Sequence, residues 1–176
     1  MNILIAYSSG YGATQEISEK IGSILAQEPS FLITVDGIEK VTQVENFDAL
    51  ILGSSVRAGQ ALANITDFLA LHRRELGRKK ISLFLVCLMA NCPAGREKVE
   101  QEYLNPIYRK YPELNYVCSQ SFGGKIDFDK LNPVMQMLME RVLEHTGIST
   151  HGSVDTRDWN FIAGWAEELK QKLLSA

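Results

Sequence analysis

The stretch that decides the fold is Asn2-Ile3-Leu4-Ile5-Ala6-Tyr7 running straight into Ser8-Ser9-Gly10-Tyr11-Gly12-Ala13-Thr14. The apolar, β-branched run reads as a strand. Behind the loop, Ile17, Ile21, Ile24 and Leu25 recur on one face of a helix. In an open parallel sheet, ligands sit outside the carboxyl ends of the strands where the winding reverses, and the first strand is the usual place for that reversal. Gly10 and Gly12 are expected to take positive φ and let the backbone approach a ligand closely. Free amides at a helix start favour an anion, and Ser8, Ser9 and Thr14 add hydroxyl donors. The loop holds no Lys or Arg, so neutral donors alone would hold the anion, which points to a phosphate.

Outward from this loop, short apolar runs alternate with helical stripes. Strands are expected at Phe31–Val35, Ala49–Leu52, Ile81–Leu88 and Tyr116–Phe122. The most apolar of them, Ile81–Leu88, reads as a central strand buried on both faces. One stripe carries Leu62, Ile65, Phe68, Leu69 and Leu76, and another Val99, Leu104, Ile107 and Tyr108. The most regular stripe is Leu131, Val134, Met135, Leu138, Met139, Val142 and Leu143, with Gly147 as its expected C-cap. A last helix is expected from Asp155–Thr156, carrying Trp159, Ile162, Ala166, Leu169 and Leu173. Five strands alternating with helices imply right-handed crossovers and an α/β fold of three layers. The expected architecture is a doubly wound parallel five-stranded sheet, with residues 1–176 as one domain.

Other phosphate binders fit poorly. Gln15 stands where a dinucleotide fingerprint needs its third glycine, although Asp36 could mimic the ribose acid. No G-x-x-x-x-G-K-[ST] string exists, and Gly53-Ser54 occupies the place of a phospho-receiver aspartate. A net charge of −3 argues against a nucleic-acid binder. Apolar content of 45% and charged content of 22% are those of an ordered globular chain. No apolar run reaches the roughly 20 residues of a membrane helix. With no secretion signal and three cysteines in no framework spacing, a cytoplasmic protein with reduced thiols is expected.

The opening I-L-I-A-Y-S-S-G-Y-G-A-T resembles the phosphate loop of flavodoxins. F-D-A-L-I-L-G-S-S-V-R-A-G-Q (47–60) resembles the second flavin loop of flavodoxin-type, menaquinone-dependent protoporphyrinogen oxidases, and D-T-R-D-W (155–159) is similar to that subfamily. The resemblance implies the flavodoxin-like strand order 2-1-3-4-5 and an FMN with its phosphate on Ser8, Ser9, Gly10, Tyr11, Gly12, Ala13 and Thr14. It places the isoalloxazine between Ser54, Ser55, Val56, Arg57, Ala58 and Gly59 on one side and Met89, Ala90, Asn91, Cys92 and Gly95 on the other. Arg57 is then a candidate to offset charge on the reduced flavin or to hold an acidic substrate group.

Two departures bear on function. Carrier flavodoxins usually wall the flavin with aromatic rings, but these second and third loops hold none, and Tyr11 is the one ring expected nearby. That favours an oxidoreductase acting on a small molecule or quinone over an electron carrier between redox partners, or over an FMN-free binding module. The stretch G-G-K-I-D-F-D-K-L-N-P (123–133) has balanced charge and only Phe128, whereas the oxidases are arginine- and aromatic-rich there, which weakens protoporphyrinogen as substrate.

Elsewhere plainer readings prevail. Cys87 and Cys118 read as core thiols, and Cys92 lacks a Cys-x-x-Cys partner. His72, His145 and His151 have no ligand spacing. Met135 and Met139 read as packing, while Met137 falls off the stripe and is expected to be exposed. Trp159 and Trp165 read as helix-packing residues. The basic positions Arg73, Arg74 and Arg78–Lys80 suit a helix end, with peripheral contact to anionic lipid as a minor possibility.

Overall fold

Alternation along the strands sorts the side chains into two apolar layers. The computed structural model describes residues 1–57, 60–61, 63–144 and 146–175. Five strands, β1 (Asn2–Ser8), β2 (Leu32–Gly37), β3 (Ala49–Arg57), β4 (Lys80–Val86) and β5 (Asn115–Phe122), pair in parallel in the order 2-1-3-4-5. Strand β3 runs five residues past its expected end at Leu52, and residues 60–61 turn back antiparallel on it, Val56 opposite Ala61.

One layer joins Leu4, Leu50, Leu52, Ile81, Leu83 and Leu85 to α2 (Ala63–Leu71), α3 (Arg73–Leu76), α4 (Pro93–Val99) and α5 (Asn105–Lys110). The other joins Ile3, Ile5, Ile51, Phe84 and Val86 to α1 (Ala13–Leu25) and a long C-terminal helix, Trp159–Ser175. Between α4 and α5 the chain makes a wide π turn, Glu100–Leu104. The five-residue step from Val99 to Leu104 in the apolar stripe is its trace: one extra residue keeps both side chains buried.

The expected stripe over 131–143 is only half buried. Helix α6 (Pro133–Leu143) is capped by Asn132, whose side chain accepts from the Met135 amide at 2.9 Å. Its Leu143 packs not in the main-sheet layers but in a small cluster with Leu88, Ile126 and Phe128. Val134, Met137 and Leu138 therefore stay exposed, at 73%, 67% and 38%. The helix stops at Leu143, and Gly147 takes its positive φ in the turn beyond instead of capping it. Leu62 and His145 lie outside the described residues.

Two strands were hidden in the polar tail: β6 (Lys125–Asp127) and β7 (Ser153–Asp155) form an antiparallel pair. Ser153–Asp155 is thus a strand, not a helix start, and the last helix, α7 (Trp159–Ser175), begins four residues later than expected. Asp158 Oδ1 accepts from the amides of Asn160 and Phe161, both at 3.0 Å, and so caps it. Trp165 packs edge-on to Phe84 and Phe122 as expected. Trp159 is 38% exposed and lies under the Arg157 guanidinium rather than in the core.

Gly53 sits opposite Phe84 in the ladder, and a Cβ there would meet the Phe84 ring at 2.2 Å. The ring covers the glycine and touches Phe122 and Trp165 from the same place. Gly53→Ala should cost about 1–3 kcal/mol through displacement of that ring, read as a lower denaturation midpoint with unchanged slope.

Candidate functional site

Register builds the site. Ser8 pairs with Ser54, Ser54 with Leu85, and Leu85 with Ser121, so four strands reach one level together. Beyond that row opens a cleft of about 210 Å³. Of the sequence-predicted residues, Ser9, Gly10, Tyr11, Ala13, Thr14, Ser55, Val56 and Met89 line it.

In the first loop, Gly12 takes φ +86° as the residue preceding α1. This left-handed residue turns the chain into the helix. Ser9 Oγ accepts from the Gly12 amide at 3.1 Å, which pre-shapes the turn. Ser8 is buried, and its Oγ accepts from Asn64 Nδ2 at 3.2 Å. Thr14 Oγ1, by contrast, is buried with no hydrogen-bond partner among the described residues.

The second loop presents the same contrast. Ser54 is fully buried and donates to the Ser55 carbonyl at 3.1 Å, whereas Ser55 Oγ is buried without a partner among the described residues. Ala58, Gly59 and the Arg57 side chain lie outside the described residues. In the third loop, Leu88–Asn91 forms a 3₁₀ turn, and Cys92 precedes α4. A Cβ on Gly95 would fall 1.7 Å from the Met89 carbonyl oxygen, so the loop folds back on itself only because residue 95 is glycine. Ala90 is buried; Asn91 and Cys92 are exposed to solvent.

Several lining residues were not anticipated. Tyr103, set on the π turn, adds a second ring beside Tyr11. Cys87 and Leu88 lie just past the end of β4. Gly124 enters just ahead of β6, Lys125 and Ile126 from β6 itself, and Met135, Met139 and Leu143 from α6, where they had read as simple packing. The available signal was Gly123-Gly124, which ends β5 at the same level as the other strand ends. Burial raises the Cys87 thiol and the Tyr103 phenol above their ordinary pKa values.

The D-T-R-D-W segment ties this second wall to the first loop. Thr156 Oγ1 accepts from the Gly124 amide at 3.0 Å and donates to the Leu88 carbonyl at 3.2 Å. A Cβ on Gly123 would strike the Thr156 carbonyl oxygen at 2.0 Å. Arg157 donates to both Asp155 oxygens, at 2.8 and 2.6 Å, and through Nη1 to Glu16 Oε2 at 2.7 Å. Its hydrogen bonds hold the Glu16 and Asp155 carboxyls below their ordinary pKa values. Among the described residues no group of three or more His, Cys, Asp or Glu is placed to hold a metal, and no helix is long and apolar enough to cross a membrane.

A carboxyl whose pKa folding lowers stabilises the fold above its unfolded value and loses that contribution as pH falls through the folded one. Arg157→Gln should therefore lower Tm at neutral pH, and its melting curve should converge on the wild type below about pH 4, in thermal melts across that range. Exposed Cys92 should react with a maleimide well before Cys87, which is half-buried with a raised pKa, as peptide mapping after brief labelling would show.

A flavodoxin-domain family profile matches residues 4–153. The protoporphyrinogen IX dehydrogenase [quinone] of Escherichia coli strain K12 is 23% identical, over 96% of this chain and 94% of its own. The solution structure of two-electron reduced Megasphaera elsdenii flavodoxin superimposes with a TM-score of 0.55 at 15% identity, covering 68% of this chain and 84% of that one.

Proposed function

The chain belongs to the flavodoxin family, and from that premise we propose that it binds FMN and acts as an oxidoreductase on a small apolar molecule. The observation that carries the reading is the pair of buried hydroxyls, Thr14 Oγ1 and Ser55 Oγ, that have no partner among the described residues and belong to residues lining one cleft. A buried hydroxyl left unpaired costs about 1–3 kcal/mol, so two at one cleft suit a ligand with polar atoms to meet both. Thr14 lies in the first turn of α1, where helix amides also favour a phosphate.

In this reading Ser9–Thr14 hold the phosphate, with Ser8 bracing the loop through Asn64. Ser54–Gly59 and Met89, Ala90, Asn91, Cys92 and Gly95 flank the ring, Ser55 Oγ meeting one of its polar edges. When bound, FMN supplies hydride or single-electron transfer. The protein's part is orientation and exclusion of water, and no side chain is assigned acid–base work. Leu88, Ile126, Met135 and Met139 make the far wall of the cleft apolar, which suits a flat apolar reactant such as a quinone. The quinone-linked reaction of the Escherichia coli relative is the first to test. The exposed Val134, Met137 and Leu138 favour a second reading, an electron carrier that docks a protein partner there.

Purified protein should take up FMN and turn yellow, with quenched flavin fluorescence. Thr14→Val should weaken FMN about tenfold, the loss of one hydrogen bond to a charged group. Anaerobic mixing with protoporphyrinogen and a menaquinone analogue should give porphyrin fluorescence. If no porphyrin forms but chemically pre-reduced flavoprotein reduces the quinone, another donor is indicated, and neither, with FMN bound, leaves the carrier. A protein that takes up no FMN overturns the proposal.

A further inference from the structure

The first loop has no cation of its own, yet a carboxylate stands beside it. Glu16 is the fourth residue of α1, and its Oε1 lies 3.9 Å from where a Cβ on Gly12 would sit. An acid in that turn favours the empty helix but repels an arriving phosphate. Resting on the FMN reading, we propose that Arg157 is a positioning residue for phosphate recognition: it neutralises Glu16 and draws its carboxylate aside, so that the cradle accepts a phosphate monoester.

The geometry fits that role better than a general structural tie. The Arg157 side chain is 3% exposed, although both of its carboxylate partners are more than a third exposed. Three directions fix the guanidinium: two bonds to Asp155, one to Glu16, and the Trp159 ring with its centroid 4.6 Å away. Asp155 and Trp159 orient Arg157, and its Nη1 is left to reach Glu16 from 141 positions along the chain. Lys125 Nζ approaches Glu16 Oε1 at 3.6 Å as a second, solvent-exposed cation. The four formal charges sum to zero with Arg157 present and to −1 without it. That single charge would face a phosphate across the first turn of α1.

Isothermal titration of the purified protein with FMN and with riboflavin, which lacks the phosphate, separates charge from structure. Arg157→Gln should weaken FMN about five- to tenfold at low salt while leaving riboflavin within about twofold, the gap closing in high salt. Adding Glu16→Gln should restore FMN affinity to near wild type, although Arg157 is still absent. Equal loss of FMN and riboflavin, or no rescue by Glu16→Gln, would show that Arg157 only braces the fold and would overturn the inference alone. A wild type that binds neither flavin would overturn the proposed function, and this inference with it.

Discussion

Parallel pairing in register is the constraint on which the structure depends. Because Ser8, Ser54, Leu85 and Ser121 stand in one row, every strand-to-helix connection leaves the sheet at the same edge. Each parallel strand needs a crossover over a face of the sheet. The crossovers bury both faces, and the loops that begin them are the irregular backbone left at that edge. The cleft is therefore where the fold has polar groups not consumed by its own ladder.

Within that edge, the three loops reach their shapes by different means. The first turns on left-handed Gly12 and a serine that accepts from it. The second is a strand prolonged beyond the core, so that Ser55 and Val56 project past the row. The third folds back until Gly95 has no room for a side chain. The opposite wall comes from a chain excursion after β5, closed by the β6–β7 pair and roofed by α6. Thr156 and Arg157 fasten it to the rest through the Leu88 carbonyl and Glu16. The excursion thus changes what an otherwise ordinary cleft can hold.

The strands and most helices were legible because their signals are local. Period-two alternation and buried stripes such as Ile17, Ile21, Ile24 and Leu25 state which face is covered. The stripe of α6 misled for the same reason. Its spacing is that of a core helix, but spacing cannot say how much surface waits opposite it, and a cluster of four buried residues covers only part of the face. The strands at Lys125–Asp127 and Ser153–Asp155 were illegible. Three residues each is too short for a period, and their pairing spans more than twenty-five positions.

By itself the sequence determined where the strands lie, the position of the anion loop and the kind of donors it offers, since these follow from neighbouring residues. Only the tertiary structure decided which donors remain available. Ser54 donates to its neighbour's carbonyl and Ser8 accepts from Asn64, while Thr14 Oγ1 and Ser55 Oγ have no partner among the described residues. It also decided that Glu16 meets Arg157 and that methionines of α6 wall the cleft. Hydrogen bonds and charge pairs act over a few ångströms of space, and residues 141 positions apart acquire that distance only when the chain has closed on itself.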